Sequence, residues 1–394
     1  MSSRAQRTLW GVIGVGVLVR LVVAFKTYGL QYDMDSLRQV RDVLRYDPLH
    51  LYSIVNGHPN FRWPYLPGFL PWVRASGWLE NHVGLPFHGW VQVLPIAADA
   101  GIAWLVQHYL GLRGATERRR LVAAGLVALG PSFAIISGYH GQIDQTAILP
   151  AVAALVAWKR LAPGPRRGLA AGLLIGLAVS LKTVPVLMLA ALLPWAASRR
   201  EAAALVIPAI TVPLATLAPF LVADTHAVTM TLREHVTLPG FGGLSLLVQP
   251  EFAKVWLLGS NVPMSGLNQD LLRHEHTIVA ALMLPCVLLV LWRRPQPAVG
   301  AAFLFLALEL LSVGWSFQYA VWALPFALMC GWLWQVAAVQ AALLIPSVLT
   351  YWHGIVDRPH VLYIPIMIGL WAVLVVVLLG LVRRLLTGRP VAQV

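Results

Sequence analysis

Charge is scarce in this sequence. Asp, Glu, Lys and Arg together make up 11 % of its 394 residues, while 58 % are hydrophobic and mean hydropathy is +0.72. Soluble domains are about one-quarter charged, so this composition cannot supply a water-facing surface. Cysteine is almost missing as well. Cys286 and Cys330 both lie in apolar runs, which excludes a disulfide framework and a cysteine zinc site. No Gly-x-Gly-x-x-Gly stretch and no Gly-Lys-Ser/Thr phosphate loop occurs, and neither long polar stretch, 27–87 or 223–276, has room for a nucleotide-binding α/β domain. A substrate handled here is therefore expected to be lipid-borne or small rather than a nucleotide. No internal repeat is found.

What the chain does have is a series of apolar runs of bilayer-spanning character. They cover 8–26, 88–110, 120–137, 145–159, 168–181, 184–197, 201–222, 277–292, 298–314, 318–334, 336–351 and 361–383. A thirteenth stretch, 66–79, is broken by Pro and carries Arg74; it reads as re-entrant or interfacial. The expected architecture is a single all-α integral-membrane domain over 1–394 with about 12–13 transmembrane helices. With twelve crossings both termini share one face. Loops on that face hold 17 basic residues against only Glu117 and Glu201, and the rest of the chain holds 12 basic and 14 acidic ones. This is the positive-inside bias, so both termini are read as cytoplasmic. The net charge of +13 then reads as anchoring charge and not as a nucleic-acid surface. The first apolar run follows a basic N-terminus but contains Arg20 and has no small-x-small cleavage site, so it reads as a retained helix.

All histidines but His108 fall on or near the opposite, extracytoplasmic face, with many aromatic residues. The first outer loop begins Tyr32-Asp33-Met34-Asp35-Ser36 and continues as an amphipathic helix, with Leu37, Val40, Val43 and Leu44 on one face. Such a helix is expected along the membrane surface. Asp33 and Asp35 at its start have two readings: capping groups for the helix N-terminus, or a carboxylate that takes a proton from an attacking hydroxyl. Arg62 in His58-Pro-Asn-Phe-Arg62-Trp63-Pro64-Tyr65 can pair with a lipid phosphate or snorkel. The turn Gly138-Tyr139-His140-Gly141-Gln142-Ile143-Asp144 places four hydrogen-bonding side chains at the membrane boundary, as a structural knot or as the lining of a polar pocket. Lys182 reads as a lysine snorkelling at a helix end or as a fixed cation for an anionic phosphate; it has no flanking acid in sequence and opposes the positive-inside bias, which favours the cation. Gln318 and Tyr319 in one late turn, and His353 in another, suit a sugar ring and equally an interface belt. His274-Glu275-His276 lacks the spacing of a zinc-binding helix and reads as solvated charge. Arg20, Asp99 and Glu309 lie within apolar runs and are expected to pair inside the bundle.

Taken in order, Asp33-Met-Asp35, Trp63-Pro-Tyr65-Leu-Pro67, Gly141-Gln142-Ile-Asp144, Lys182 and Phe317-Gln318-Tyr319-Ala-Val-Trp322 resemble the GT-C glycosyltransferases. The likeness is to polyprenyl-phosphate-mannose-dependent enzymes of the GPI mannosyltransferase I and mycobacterial mannosyltransferase kind, and it spans roughly 8–334. The resemblance implies a sugar donor on polyprenyl phosphate, transfer on the extracytoplasmic side, and an inverting single displacement. It places Asp35 at the catalytic acid position of the first loop and Asp33 at the first Asp of an Asp-x-Asp pair. Lys182 matches a recurrent lysine, assigned here to donor phosphate with Arg62 beside it. Tyr65, His140, Gln142, Asp144, Gln318, Tyr319 and His353 are the expected substrate-binding residues. The usual Tyr-Pro-Pro is replaced by Trp63-Pro64-Tyr65-Leu66-Pro67, and the usual Ser-Pro-Gln-Tyr by Ser316-Phe317-Gln318-Tyr319.

The expected function is thus transfer of a sugar, with mannose favoured by the resemblance, to a hydroxyl of a lipid-linked or cell-envelope glycan acceptor. Side-chain cations can stabilise the leaving phosphate, so no cofactor and no metal are expected. Expected partners are the polyprenyl-linked donor, the acceptor and membrane lipids, with no nucleic acid. Arginine outnumbers lysine 25 to 4 and no Asn-x-Ser/Thr sequon occurs, which associates with a bacterial cytoplasmic membrane and a periplasmic working face. A transporter or lipid-linked-sugar flippase is the alternative, although its polar groups would gather near the midplane. A non-catalytic assembly scaffold is a third reading.

Overall fold

A computed structural model describes residues 1–58, 63–234, 237–352 and 355–388. It is 82 % helical, with no strand among the described residues. Two compact units divide the chain, Met1–His235 and Val236–Val394. In the first, the helices are α1 (Ser3–Lys26), α2 (Gln31–Tyr46), α3 (Leu51–Asn56), α4 (Leu70–Val83), α5 (Phe87–Leu112), α6 (Glu117–Ala128), α7 (Pro131–Ile135), α8 (Asp144–Arg160), α9 (Pro165–Leu181), α10 (Leu187–Leu192) and α11 (Arg199–Glu234). The second contains α12 (Gly243–Val248), α13 (Ala253–Leu258), α14 (Gly266–Arg273), α15 (Glu275–Arg293), α16 (Pro297–Leu311), α17 (Ala320–Met329), α18 (Leu333–Tyr351) and α19 (Pro359–Thr387).

Among the described residues, seven helices are long and apolar enough to cross a bilayer: Ser3–Lys26, Phe87–Leu112, Glu117–His140, Arg199–Arg233, Glu275–Arg293, Leu333–Tyr351 and Pro359–Thr387. Three shorter apolar helices lie at Val184–Trp195, Pro297–Leu311 and Phe317–Met329. Outward-facing residues of α1 include Val15, Leu18, Val19 and Val22, and those of α19 include Val373, Val376 and Leu379. An apolar exterior on long helices is solvated by hydrocarbon, so the protein is a multi-pass membrane protein. Of the apolar runs read from sequence, 145–159 and 168–181 form α8 and α9, of 17 residues each. The Pro-broken stretch 66–79 becomes a short 3-10 turn, Pro67–Phe69, and the 14-residue α4.

In the first unit α9 and α11 pack backbone to backbone along one face. Gly168, Gly172 and Gly176 repeat every fourth residue and so share one face of α9. A Cβ on each would stand 2.4, 2.4 and 2.5 Å from the carbonyl oxygens of Glu201, Leu205 and Pro208. Small residues at this spacing let two backbones touch, the packing that membranes favour in place of a hydrophobic drive. Arg167 pins one end of the contact with a 2.5 Å ion pair to Glu201 and lies over the Trp158 ring.

The helix α2 departs from the expectation for a membrane-surface helix. Its apolar residues Met34, Leu37, Val40, Val43 and Leu44 are buried within the protein. Arg41 on its polar side reaches α4, with Nη1 2.5 Å from Glu80 Oε2. Its apolar face is thus consumed by protein packing and is not left for lipid.

In the second unit, Phe305 and Phe326 meet at 4.7 Å between ring centroids, joining α16 to α17. Glu275 is only 3 % exposed, which corrects its reading as solvated charge. Its carboxylate accepts the Thr237 backbone N–H at 2.7 Å and the Thr237 hydroxyl at 2.6 Å. The Thr237 Oγ1 in turn accepts the Gly314 N–H at 2.8 Å. A buried carboxylate satisfied by such donors ties segment 237–245 to the turn after α16. Glu309 is also buried and accepts the Ala323 N–H at 3.2 Å.

Candidate active site

Neither aspartate caps α2. Its N-cap position is Leu30, with no side-chain cap bond. Both carboxylates turn to other partners. Asp33 Oδ2 lies 2.5 Å from His140 Nε2 and accepts Gln142 Nε2–H at 2.7 Å. A carboxylate accepts only, so the shared proton belongs to His140 Nε2. Asp35 Oδ1 accepts the Tyr28 hydroxyl at 2.5 Å, while its other oxygen takes no hydrogen bond from a described residue. Asp33 is thus held by two donors, whereas Asp35 is half-exposed with one oxygen open.

The backbone makes this meeting possible at two left-handed glycines. Gly29 and Gly141 both have φ +83°, a conformation that costs an L-residue but not glycine. A Cβ at Gly29 would stand 2.6 Å from the Tyr139 carbonyl, and one at Gly141 would stand 2.0 Å from Met34 Cε. The chain before α2 and the turn 138–144 therefore lie directly against each other, with Met34 filling the space above Gly141.

A second group continues from Gln142. Tyr65 donates its hydroxyl to Gln142 Oε1 at 3.0 Å, and its ring centroid lies 5.3 Å from Lys182 Nζ. Lys182, the residue at the end of α9, is ion-paired with Asp144, at the start of α8. The lysine that has no acid near it in sequence thus finds one 38 residues away. Tyr65 is held from behind by α3. Tyr52 donates to the Tyr65 carbonyl at 2.8 Å, and Asn56 Oδ1 accepts the Trp63 N–H at 2.6 Å. Gly68 follows close against α9, where a Cβ would be 2.6 Å from the Ser180 carbonyl.

Asp33, His140, Gln142, Tyr65, Lys182 and Asp144 therefore form one continuous cluster, with Asp35 two residues along α2 from Asp33. Arg62 and His353 lie outside the described residues. Gln318 and Tyr319 belong to the second unit, on the 3-10 turn Phe317–Tyr319, where Tyr319 stacks on Trp322 at 4.4 Å. No group of three or more His, Cys, Asp or Glu among the described residues is arranged to hold a metal ion.

Sequence reasoning missed Tyr28, Tyr52 and Asn56. Tyr28 sits beside Gly29, and a tyrosine-glycine pair before a carboxylate-bearing helix was its only signal; nothing in the spacing marked Tyr52 or Asn56. Burial pushes the Tyr28 hydroxyl up to about 12, the hydrogen bond to Asp35 adds to the rise, and the Arg38 guanidinium 4.8 Å from its ring opposes it. The folded value lies above the ordinary tyrosine value of about 10. Tyr28's contribution to stability is therefore complete below that ordinary value and is lost as pH rises through the folded one. At neutral pH it remains a donor to Asp35. With Tyr28→Phe that donor is gone and Asp35 Oδ1 is no longer fixed, so kcat is expected to fall by about 10-fold with the fold intact. A wild-type kcat in Tyr28→Phe would rule out this support of Asp35.

A carboxylate with one open oxygen, two residues along α2 from a cluster that ends in a cation over an aromatic ring, suits a reaction in which a hydroxyl loses a proton and an anion departs. A helical multi-pass chain with such residues is consistent with a GT-C-type membrane glycosyltransferase, and comparison with known families agrees. Residues 63–316 match the family model of Glycosyltransferase family 87. The chain belongs to that family. Transfer of a sugar, and not transport, is therefore its class of activity. A search of curated proteins finds no match. Tyr65, His140, Gln142, Asp144 and Lys182 fall inside the matched stretch, while Asp33 and Asp35 precede it.

Proposed function

We propose that this glycosyltransferase moves a sugar, mannose by the resemblance, from a polyprenyl-phosphate carrier to a hydroxyl of a lipid-linked or cell-envelope acceptor. The working face is extracytoplasmic, periplasmic in a bacterial cytoplasmic membrane, with both termini cytoplasmic and the whole chain acting as one membrane domain. The observation that carries the reading is the open carboxylate of Asp35 on the same helix start as Asp33, which heads the cluster that ends in Lys182. The acceptor oxygen attacks the anomeric carbon and its proton passes to Asp35. The bond from that carbon to the phosphate oxygen breaks, and its electron pair leaves with the phosphate. Inversion follows from the single displacement. Lys182 answers the charge growing on the phosphate, which competes with Asp144 for the ammonium. Asp33, already held by His140 and Gln142, keeps the start of α2 in register, and those two side chains with Tyr65 and Asp144 face the donor. By the resemblance, Arg62 adds a second cation at the phosphate. Side-chain cations make a metal unnecessary in this scheme.

Holding both lipid-borne substrates in the membrane removes much of the entropy cost of their encounter. The test is transfer of label from radiolabelled polyprenyl-phosphate-mannose into a new lipid, by full-length protein in nanodiscs with EDTA and a membrane lipid extract. Labelled GDP-mannose runs in parallel. Label from the polyprenyl donor in EDTA is the expected result. Label from GDP-mannose alone would overturn the donor class, and transfer abolished by EDTA would overturn metal independence.

A further inference from the structure

Beneath the site lies a buried ion pair that the transfer chemistry does not use. Arg20 of α1 and Asp99 of α5 are 2 % and 1 % exposed, with Arg20 Nε 3.3 Å from Asp99 Oδ2. Every side of the guanidinium is engaged. Nη2 donates to the Val127 carbonyl at 2.9 Å, and Nη1 donates to Gly16 at 3.0 Å and also to the Ala128 carbonyl. Val127 and Ala128 lie at the end of α6, where the helix itself leaves carbonyls without donors. Nε donates to Ser137 Oγ at 3.2 Å, and the Ser137 hydroxyl stands 2.6 Å from Asp99 Oδ2.

Ser137 lies in a π-helical turn, Ile136–His140, whose wide register is seen in Gly141 N–H donating to the Ile136 carbonyl at 3.1 Å. Such a turn carries one residue more than an α-helical turn and persists where its surroundings fix it. Here the surroundings are the ion pair. Ser137 is tied to it, and a Cβ at Gly138 would stand 3.0 Å from Arg20 Cβ and Cγ. Loss of the extra residue would rotate the following side chains by about 100°. His140, the last residue of the turn, would then leave Asp33.

We propose that Arg20, Asp99 and Ser137 are positioning residues: the buried pair locks the π-helical turn and so holds His140 and Gln142 on Asp33. The consequence for rate rests on the transfer reading above, but the geometry can be tested without turnover. The experiment uses full-length protein with 15N-labelled histidine in detergent micelles. An imidazole N–H bonded to a carboxylate exchanges slowly enough to be seen by NMR, and its signal is assigned by its absence in His140→Ala. The signal is expected in the wild type and in Ser137→Thr, which keeps the hydroxyl. Its loss is expected in Ser137→Ala, with the backbone amide signals of the other eleven histidines in place as proof of folding. A signal kept in Ser137→Ala overturns the proposal. So does one lost in both variants, because the hydroxyl is then not what holds the turn.

Where transfer is measurable, Ser137→Ala lowers kcat by about 10- to 100-fold and costs nothing further in the His140→Ala background. Additive losses would overturn the link through His140. A lost signal together with no transfer from the polyprenyl donor by the wild type would count against the transfer reading and leave the positioning role standing.

Discussion

Asp35→Asn lowers the transfer rate by about 10²- to 10⁴-fold, the contribution of a positioned general base, with little change in thermal stability. The stability expectation follows from geometry. Asparagine has the same shape as aspartate, and its carbonyl oxygen still accepts the Tyr28 hydroxyl that Asp35 Oδ1 accepts at 2.5 Å. What is lost is the open oxygen's capacity for a proton. Asp33→Asn is expected to behave differently, because Asp33 Oδ2 receives both His140 and Gln142. An amide in that place weakens two charge-assisted bonds and loosens the turn 138–144. Initial rates and melting temperatures of the two variants, measured side by side, decide the matter. Wild-type turnover by Asp35→Asn would remove Asp35 from the chemistry.

The largest effect on stability is expected from Arg20→Met. Methionine fills much of the arginine's volume but leaves the Asp99 carboxylate buried and uncompensated. Breaking a buried pair by removing one partner costs about 3–5 kcal/mol. Among the described residues Ser137 alone then remains as a hydrogen-bond partner of Asp99, and the carbonyls of Val127 and Ala128 lose the Arg20 donor. The double variant Arg20→Met/Asp99→Leu removes the orphaned charge too, and is expected to recover a large part of the loss. Unfolding in graded SDS–detergent mixtures measures both. Equal destabilisation of the single and double variants would mean that the cost lies in packing and not in the charge.

Much of the architecture was legible from composition and periodicity, because long, nearly uncharged apolar runs cross a bilayer as helices. The amphipathic run of α2 was legible from its periodicity, but not what covered it: lipid and protein reward the same apolar face, and Glu80 on α4 is a partner no local pattern announces. The candidate site was legible as residue types and only partly as pairs. Lys182 stood out because it had no neighbouring acid, yet its counter-charge, Asp144, is reached only when α8 and α9 pack together. Asp33 and Asp35 were found, but helix capping competed with chemistry until their real donors were known. Glu275 was misread because two flanking histidines suggest water, whereas Thr237, 38 residues earlier, supplies both of its bonds. Arg20 and Asp99 were recognisable as buried charges, and each proved to be the other's partner.

The contact between the start of α2 and the turn 138–144 also bears on how this enzyme can be rebuilt. Asp33 and its donors are 107 and 109 residues apart, and the two strips of chain meet through matched shapes at Gly29 and Gly141. A chimera that imports residues 27–58 from another family member receives only one half of a fitted joint. Exchange of the first segment therefore succeeds only when residues 138–144 travel with it, as two cassettes inherited together.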